Sequence, residues 1–349
     1  MRSEKPKLAL IAETLGVSIA TVSNALSGKG RVSPELAERI RDTARDLSYV
    51  PSMAGRALRT GRSGVLGLVL PDIANPLFPQ IAQAIEQAAS TAGYGVLIGD
   101  SRGRTGMQTE AIARLIDRGV EGMVVIPRRG TRISDIGCPV AVIDTPSTPG
   151  NTVSSDHWDG GRQMGAHLRA LGHRKVLILA GSPLSTVQND RVGGLKSGLG
   201  PEGQAEVVWL EKLSPPEAPE SRLGLAARVA EGFSAFAALS DLTAVRALTE
   251  LQGAGIAVPE AASVTGFDDL IWSSVVTPSL TTLRMDMAEI ARLAVSALTA
   301  VIEGLPHGRV AASGTVTAEQ SSVPMTLLVR QSTAPCRAAL AEMAKGTGE

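Results

Sequence analysis

The chain has 349 residues, of which 44% are hydrophobic, and a formal net charge of zero at pH 7. This length allows more than one buried core, which excludes a single small domain. Cys138 and Cys336 are far apart and the four histidines have no paired spacing, which argues against a disulfide or a metal site, and no cofactor is expected.

The first predicted elements are two short helices within residues 8–26. Apolar residues recur at helical spacing, Gly16 suits the positive φ of a sharp turn, and Ser18 is placed to cap the second helix. Val22 and Leu26 point inward, which leaves the N-terminal face of the second helix outside, where recognition helices meet base edges. The pattern favours a DNA-reading head, with an unrelated small helical hairpin as the alternative.

A third helix and an excess of basic residues strengthen this prediction. Ser33 and Pro34 form a helix start, and the apolar stripe that follows closes the head near Tyr49. Residues 1–62 contain 11 lysines and arginines against 6 acidic residues, a net charge of +5, so the remainder carries −5. A basic end on an acidic body is typical of a protein that contacts a polyanion.

The segment from Tyr49 to Leu58, with the pattern Val-Ser-x-x-Thr-Val-Ser from Val17 to Ser23, resembles the LacI/GalR family of bacterial transcription regulators. The resemblance implies a hinge helix, within residues 50–62, that inserts Leu58 into the minor groove. About ten residues are too few for a stable isolated helix, so the hinge should order only on DNA and its dimer mate.

Two residues depart from the family pattern. Asn24 stands where the family often has arginine, and asparagine suits the N6/N7 edge of adenine. Gly55 replaces the usual alanine, which costs a helix roughly 1 kcal/mol and should ease release from DNA. The residues expected to contact DNA are Lys7, Ser18, Ile19, Ala20, Thr21, Ser23, Asn24, Arg31, Arg56 and Leu58.

From Val65 onward, apolar runs alternate with amphipathic helices. This rhythm predicts parallel strands covered on both faces, in too many units for one compact sheet. We therefore expect an α/β core of two Rossmann-like lobes, similar to periplasmic binding proteins. The predicted strands are 65–70, 96–99, 123–126, 141–143, 152–155, 176–180, 236–239 and 264–267.

The resemblance implies three crossings between the lobes, near residues 160–165, 281–285 and 322–324. The expected divisions are a helix-turn-helix domain (1–49), the hinge and linker (50–62), the core (63–335) and a tail (336–349). Within the core we expect lobe 1 at about 63–162 and 284–322, and lobe 2 at about 163–282 and 323–335. A ligand should bind between the lobes, outside the carboxyl ends of the strands.

Polar residues at strand ends are the candidates for effector binding. In the family, the arginine of Arg-x-x-Gly and the first aspartate of Gly-Phe-Asp-Asp bind effector hydroxyls, and a carboxylate with a guanidinium suits a polyol. Asp156, Arg191 and Asp268 could instead cap the following helix. Phe78 could belong to the core, and Trp272 could pack against the inter-lobe hinge. Ser240-Asp241 departs from the family's Asn-Asp. The candidates are Asp72, Phe78, Asp156, Arg191, Asp268 and Trp272, with Trp158 as a further aromatic.

Two segments invite an enzymatic interpretation. Gly99-Asp-Ser-Arg-Gly103 matches Gly-x-Ser-x-Gly, but the next helix should begin only near Met107, whereas a nucleophile elbow needs one directly after the serine. Gly194-Leu-Lys-Ser197 lacks the adjacent glycine and lysine of a phosphate loop. His173, in a family signature, should fix a turn, and no catalytic activity is expected.

Together these observations predict a homodimeric regulator, by default a repressor, that binds a pseudo-palindromic operator. A small molecule, expected to be a carbohydrate, should control operator affinity from the cleft; a nucleoside or a protein co-regulator is the alternative. Dimer contacts should come mainly from lobe 1, near residues 80–90 and 108–117. Residues 1–7 lack the apolar core of a signal peptide and no run approaches a membrane span, so we expect a cytoplasmic protein.

Overall fold

The computed structural model describes residues 8–27, 32–47, 49, 62–133, 136–213 and 222–337. The chain divides into two compact units, Met1–Ser63 and Gly64–Glu349. The hinge helix predicted within residues 50–62 lies outside the described residues except for residue 62, and so does the tail beyond residue 337. Four expected DNA contacts also lie outside them: Lys7, Arg31, Arg56 and Leu58.

Three helices make up the described part of the first unit: α1 (Leu8–Leu15), α2 (Ile19–Ser27) and α3 (Pro34–Asp46). Gly16 joins α1 to α2 with φ of 64°, as the turn requires. The hydroxyl of Ser18 accepts a hydrogen bond from the Thr21 amide (3.0 Å), and this confirms the predicted cap.

The head buries a small apolar core. Ile11, Val22 and Ile40, one from each helix, are fully buried. Alanines on all three helices fill the space between them and allow close approach. Leu26, expected to point inward, packs against this core but is half-buried.

The second unit alternates strands and helices. In chain order it contains β1 (Val65–Leu70), α4 (Leu77–Thr91), β2 (Gly95–Asp100), α5 (Thr105–Asp117), β3 (Gly122–Val125), β4 (Val140–Val142), β5 (Ser154–Ser155), α6 (His157–Ala170), β6 (Lys175–Ala180), α7 (Thr186–Leu199), β7 (Gln204–Trp209), α8 (Leu210–Leu213), α9 (Leu225–Ala230), β8 (Ala235–Ala238), α10 (Asp241–Gly253), β9 (Ser263–Thr265), a 3₁₀ turn (Ile271–Ser274), β10 (Thr282–Met285), α11 (Met287–Ile302), β11 (Ser322–Val323) and β12 (Met325–Leu328).

Two four-stranded parallel sheets define the lobes of this unit. Lobe 1 holds the sheet β2-β1-β3-β4, and lobe 2 holds the sheet β7-β6-β8-β9. The inner strands are buried on both faces, because helices cover both, so they are continuous apolar runs. In lobe 1, α4 and α11 cover one face and α5 the other. In lobe 2, α6 and α7 cover one face and α10 the other.

Helices α6 and α7 pack backbone to backbone through two pairs of glycines. A Cβ on Gly161 would overlap the carbonyl oxygen of Arg191, and one on Gly165 would overlap that of Leu195. The reciprocal glycines of α7, Gly194 and Gly198, meet the carbonyl oxygens of α6 in the same way. Both helices therefore carry the spacing Gly-x-x-x-Gly on their contact face, where a side chain would force them apart.

The chain crosses between the lobes three times. It leaves lobe 1 at β5, returns through β10, and crosses again through β11 and β12. β5 pairs with β11 in parallel, and β10 pairs with β12 in antiparallel. The crossings predicted near residues 281–285 and 322–324 lie at these strands.

Three sequence-based expectations need correction. The crossing expected near residues 160–165 is wrong, because these residues lie inside α6; the chain crosses at residues 154–156, and lobe 1 ends there rather than near 162. Strand β7 was not predicted. Helix α5 begins at Thr105 rather than near residue 107.

Within the described residues, no single helix is long and apolar enough to span a membrane. Helices α1 and α2 meet the length and composition criteria only together, and their axes are bent by 107°. The apolar residues of these two helices include those that form the core of the first unit.

Candidate functional site

The N-terminal end of α2 presents an exposed, largely polar face. Ser18, Ala20 and Asn24 are exposed, and Thr21 and Ser23 are half-buried. Ile19 is 52% exposed although the core of the head lies one turn away. An apolar side chain held outward among hydroxyl and amide groups suits contact with thymine methyl groups and base edges.

A cavity of about 280 Å³ lies between the two lobes of the second unit. It is bordered at the carboxyl ends of parallel strands from both sheets: Pro71 follows β1, Asp144 comes shortly after β4, and Ser182 comes shortly after β6. This is the position at which open α/β sheets bind ligands. Its volume is close to the lower end of the roughly 300–1,000 Å³ typical of ligand pockets, so a small molecule fits.

A buried ion pair forms the lobe 2 end of the cavity. Nη1 of Arg191 lies 3.2 Å from Oδ1 of Asp268, and both side chains are 4% exposed. The same Nη1 donates to the carbonyl oxygen of Leu239 (2.7 Å), and the guanidinium stacks 4.2 Å from the ring centroid of Phe267. Apart from its ion pair with Arg191, Oδ1 of Asp268 has no hydrogen-bond donor among the described residues, so it keeps an acceptor site for a ligand.

Burial sets the protonation of this end. It raises the pKa of Asp268 to about 7, with Arg191 lowering the value and Asp241 raising it further. Burial, followed by the charge of Arg191, lowers the pKa of His157 well below its ordinary value. His157 is therefore neutral at pH 7, and its Nδ1 accepts a long hydrogen bond from Nε of Arg191 (3.4 Å).

The first crossing segment adds polar groups to the cavity wall. Ser155 on β5 and His157 at the start of α6 both line it. Ser155 is 2% exposed, and its hydroxyl has no hydrogen-bond partner among the described residues. A buried hydroxyl that faces a cavity without a partner is a candidate ligand contact.

The loop that carries Asp268 is held by two other carboxylates. Asp268 and Asp269 have consecutive positive φ angles, 110° and 51°. Asp269 accepts from Nε of Arg284 on β10 (2.7 Å) and from Nη2 of Arg330, just after β12 (2.6 Å). The contacts tie the loop to two crossing strands and help to hold an unusual backbone conformation in place.

Asp241, at the start of α10, anchors the other side of the same loop. Its fully buried carboxylate accepts from the amide of Leu270 (2.7 Å) and from the hydroxyls of Ser273 and Thr282. Thr282 belongs to β10, so this carboxylate also connects the loop to a crossing strand. In the pair Ser240-Asp241, which differs from the family's Asn-Asp, the aspartate therefore holds the loop that carries Asp268 in position.

The lobe 1 wall of the cavity is apolar. Side chains from one face of α4 and from the start of α11 form it, together with residues after β3 and β4. Asn75, Arg128 and Asp144 are the polar residues among the lobe 1 lining. The apolar lining residues of lobe 1 are Pro71, Leu77, Phe78, Ile81, Ile85, Ile126, Pro127, Ile143, Met287, Ile290 and Ala291.

A hydrogen bond between Thr186 and Asp144 spans the mouth of the cavity. Oγ1 of Thr186, at the start of α7 in lobe 2, donates to Oδ2 of Asp144 in lobe 1 (3.0 Å). Thr148 of lobe 1 donates to the same oxygen. Burial raises the pKa of Asp144 above its ordinary value.

The structure brings three expected effector residues to the cavity: Phe78, Arg191 and Asp268. Asp156 is not in the lining; its carboxylate caps α6 by accepting from the Asp159 amide (2.9 Å). Asp72 also lies outside the lining, and its carboxylate accepts from the Ala74 amide. Both carboxylates therefore accept from local backbone amides, which for Asp156 is the capping role that was weighed as the alternative.

The two tryptophans considered for stacking are also outside the lining. Trp272 lies in the 3₁₀ turn and is 38% exposed. Trp158 lies on α6 with its backbone against Gly194. Phe78 is therefore the one aromatic side chain among the described lining residues.

Sequence reasoning did not single out Asp144, Ser155, His157 or Gln188, which line the cavity. Asp144 had a usable signal, because it directly follows a predicted apolar strand, as Asp268 does. Ser155 and His157 flank Asp156, so the predicted residue lies between two residues that line the cavity. Gln188 reaches the site from the first turn of α7, and its Oε1 accepts from the Gly181 amide (2.9 Å).

The two residues weighed for catalytic roles are both engaged in structural contacts. The hydroxyl of Ser101 is fully buried and donates to the carbonyl oxygens of Leu70 (3.0 Å) and Pro71 (2.7 Å). His173 bonds to Ser234 (2.8 Å) and Ser263 (2.9 Å), and burial lowers its pKa to about 4. Among the described residues, no group of three or more His, Cys, Asp or Glu side chains is arranged to hold a metal ion.

Two family models match segments of the chain. Residues 7–52 match the model of bacterial regulatory proteins of the lacI family. Residues 166–333 match the model of a periplasmic binding protein-like domain.

Curated relatives align over most of the chain. The HTH-type transcriptional regulator GntR of Pseudomonas aeruginosa is 31% identical over 313 residues, which span 86% of this chain and 90% of the relative. The ribose operon repressor of Halalkalibacterium halodurans is 27% identical over 330 residues, which span 93% of this chain and 96% of the relative.

Solved structures share the fold. The lac repressor dimer bound to operator superposes with a TM-score of 0.74 at 24% identity, covering 95% of this chain and all of the other. A LacI family transcriptional regulator from Enterococcus faecium, with bound ribose, superposes with a TM-score of 0.63 at 23% identity, covering 78% of this chain and all of the other.

Proposed function

The chain belongs to the LacI family of bacterial regulatory proteins, and from this premise we propose that it is a transcription repressor whose affinity for operator DNA is controlled by a sugar-like effector. The observation that carries the proposal is the presence, in one chain, of a helix-turn-helix head and a cavity with an ion pair at one end. The first supplies DNA recognition, and the second supplies a place for a hydroxyl-rich ligand.

The proposed DNA contacts lie on the exposed face of α2. Ile19, Ala20 and Asn24 are exposed there, while Ser18 and Thr21 are bonded to each other through their hydroxyls (2.8 Å). The family's operator-bound dimer supports a homodimer on a two-fold symmetric site. The excess of basic residues in 1–62 supports a strong phosphate contribution to affinity.

The proposed effector contacts are Arg191, Asp268, Ser155 and Phe78. A relative named for the ribose operon and a related structure with bound ribose support a carbohydrate. The guanidinium of Arg191 can donate to ring hydroxyls, and Oδ1 of Asp268, which is ion-paired to Arg191, can accept from one. The polar end of the cavity is buried, so a ligand whose hydroxyls pair with these side chains binds more tightly there. A ligand without matching hydroxyls leaves the buried side chains without hydrogen bonds.

Effector binding would act through the relative position of the lobes. The loop carrying Asp268 is ion-paired to crossing strands, so ligand contact and strand position are linked. An effector changes operator affinity only to the extent that it binds one lobe arrangement better than the other. The proposed function requires no catalysis. In support of a structural role for Ser101, its hydroxyl is buried and forms hydrogen bonds with two backbone carbonyl oxygens.

Selection of operator sequences tests the DNA part. We would incubate the full chain with a random-duplex pool at near-physiological salt and sequence the retained DNA. A palindrome should be enriched, and Asn24→Arg should shift one position of each half-site from adenine to guanine. Thr14→Arg, at an exposed position on α1, adds the same charge outside the α2 face and should leave the sequence preference unchanged.

Thermal stability in the presence of candidate effectors tests the cleft. A true effector raises the melting temperature, because it binds only the folded protein. We would screen pentoses, hexoses and nucleosides, and Arg191→Met should abolish any shift that a sugar produces. No enriched sequence with or without these compounds would contradict the regulator function, and stabilisation by nucleosides alone would contradict a sugar effector.

A further inference from the structure

Arginines are concentrated on two loops of lobe 1. Residues 101–104 follow β2 and residues 126–133 follow β3, and these two loops hold five basic side chains and no acidic one. Residues 63–349 carry a net charge of −5, so without these five positive charges they would carry −10. The five residues, called the arginine patch below, are Arg102, Arg104, Arg128, Arg129 and Arg132.

The two loops meet at the start of α5. Oγ1 of Thr105 donates to the carbonyl oxygen of Arg129 (3.4 Å). Gln108, a fully buried residue of α5, holds the second loop: its amide nitrogen donates to the carbonyl oxygen of Ile126 (2.9 Å), and its Oε1 accepts from the amide of Arg128 (2.8 Å). The backbone that carries the patch is therefore held in place before any partner binds, which lowers the entropy cost of binding.

The guanidinium groups of the patch are available to a partner. All five arginines are exposed, and none of their guanidiniums forms a hydrogen bond or an ion pair with another described residue. The acidic residues that flank the first loop along the chain are engaged: Asp100 accepts from the amides of Ile73 and Arg102, and Glu110 pairs with Arg114 (3.6 Å). Unpaired like charges on adjacent loops repel one another, so an anionic partner would be attracted to the patch.

The composition of this surface favours a protein as the partner. All five basic residues are arginine, which is enriched at protein–protein interfaces while lysine is depleted, and a guanidinium can bind a carboxylate through two parallel hydrogen bonds. Ile73, held beside the first loop by Asp100, is 44% exposed and offers an apolar contact. Single-stranded nucleic acid binds by stacking on aromatic side chains, and the two loops contain none.

We propose that the arginine patch is a docking surface for an acidic segment of another protein, rich in aspartate and glutamate. Arg128 also lines the cavity, so the docked segment would lie beside the effector. The regulator would then receive a second input through lobe 1. This proposal goes beyond the proposed function and does not depend on it, because it uses neither the α2 face nor the Arg191–Asp268 pair.

Binding of an acidic peptide tests the proposal. We would titrate the full chain into a fluorescein-labelled peptide of ten glutamates and follow the anisotropy at about 0.15 M salt, where distant charges are largely screened. Arg129→Gln combined with Arg132→Gln removes two charges of the patch and should weaken binding at least fivefold. Arg169→Gln combined with Arg309→Gln removes two exposed charges of the same unit outside the patch, and should weaken binding less than twofold.

Hydrogen exchange locates the contact without any substitution. The peptide should slow amide exchange in residues 101–106 and 126–133 of the unsubstituted chain. Equilibrium unfolding shows whether the two double variants are folded. Both variants should keep the operator preference and the effector-induced stabilisation, which test the proposed function separately.

Several outcomes would overturn the docking surface. The peptide could fail to bind the unsubstituted chain, or the two double variants could weaken binding equally, which would indicate general charge attraction. Slower exchange confined to residues 8–47 would place the peptide on the head. A random-sequence DNA duplex that loses as much affinity as the peptide in the patch variant alone would make the patch a nucleic-acid surface instead.

Discussion

The two lobes have the same sheet topology and use it for different chemistry. In each, four parallel strands follow the same spatial order, with the second strand at the edge and the first beside it. In lobe 2, the loop after β8 accepts a hydrogen bond from Arg191, and the loop after β9 carries Asp268. In lobe 1, the cavity residues that follow the strands are mainly apolar. The topology brings strand ends together, and the residues placed there decide what binds.

The lobes also differ in how their helices pack. In lobe 2, α6 and α7 touch through backbone at four glycines, so the helix carrying Arg191 has a fixed neighbour. In lobe 1, α4 and α11 meet through larger side chains such as Ile85 and Leu298. We expect lobe 2 to tolerate substitution at these contacts less well than lobe 1.

Breaking the buried ion pair should have the largest effect. Arg191→Ala leaves Asp268 without its partner, and the free energy of unfolding should fall by about 3–5 kcal/mol. Effector-induced stabilisation should disappear as well. Equilibrium denaturation with and without the tightest-binding sugar measures both.

Arg162→Ala is the matched control for this change. Arg162 lies on α6 and forms an exposed pair with Asp159 (2.6 Å), which should contribute less than about 1 kcal/mol. Equal losses in the two variants would contradict the special position of the buried pair.

Adding one methyl group to a helix in each lobe should give opposite results. Gly194→Ala places a Cβ against the carbonyl oxygen of Trp158 and should destabilise the protein by about 1–3 kcal/mol or more. Gly106→Ala, on α5 in lobe 1, meets no atom within 4 Å and should stabilise by about 0.5 kcal/mol, since glycine is a poor helix former.

Urea denaturation of the two glycine variants provides the measurement. The sign of the change is the informative quantity, because both substitutions add the same atoms to a helix. Destabilisation of similar size at both positions would show that the close contact of α6 and α7 has no special role.

Effector affinity should depend on pH through lobe 2. The pKa of Asp268 is raised to about 7, so its carboxylate, the acceptor for a ligand hydroxyl, forms only as the pH rises through that value. Affinity should increase by up to about tenfold per pH unit between pH 5.5 and 7 and level off above. Calorimetric titrations over this range test it, and Asp268→Asn should remove the dependence.

The same raised pKa has a consequence for stability. The folded protein holds the Asp268 proton up to about pH 7, while the unfolded chain releases it near pH 4. The contribution of Asp268 to stability is therefore present below pH 4 and is lost as the pH rises to about 7. His173 acts in the opposite direction, because its lowered pKa of about 4 makes acidification below pH 6.5 unfavourable. Asp268→Asn should accordingly flatten the first trend and leave the second.

Loss of the Thr186–Asp144 hydrogen bond between the lobes should have the smallest effect. Thr186→Val removes the donor that reaches Asp144 across the cavity, a loss of about 0.5–1.5 kcal/mol in the closed arrangement. Effector affinity should fall by a few-fold. Thr148→Val removes a bond to the same oxygen from within lobe 1 and should leave affinity unchanged; equal losses of affinity would contradict a role in closure.

Local patterns predicted most of the fold. The buried strands of both sheets appear in the sequence as short apolar runs, and the head as helical spacing with Gly16 and two N-caps. These features depend on neighbouring residues alone. Strand β7 was missed because it alternates exposed and half-buried residues, as an edge strand does, and so has no continuous apolar run.

The first crossing was placed from the family resemblance, and the glycines of this segment did not correct its position. Gly160, Gly161 and Gly165 are equally consistent with a flexible connector and with a close helix contact. The partner glycines, 194 and 198, lie about thirty residues away, and only the folded structure pairs them. A repeated Gly-x-x-x-Gly in consecutive predicted helices was the available signal.

The site was predicted where a residue type and a strand end coincide. Arg191 and Asp268 meet this condition and lie at the cavity, but Asp72 and Asp156 meet it as well and cap local backbone instead. An aspartate after a strand is equally suited to both roles, and the choice depends on which way the loop turns. The apolar lobe 1 wall could not be predicted, because its residues appear in the sequence as an ordinary core face of a helix.

Because of the ion pairs of Asp269, residues in one part of the cavity wall can be substituted without affecting the crossing strands, and residues in another part cannot. Because Asp269 joins the Asp268 loop to Arg284 and Arg330, a new ligand contact made on that loop also alters the crossing strands. The α4 side chains of Phe78, Ile81 and Ile85 pack on the lobe 1 core instead. To obtain a regulator that binds a different effector, Phe78, Ile81 and Ile85 of α4 are therefore the residues to substitute. Changes there alter ligand specificity while the contacts between the Asp268 loop and the crossing strands are kept.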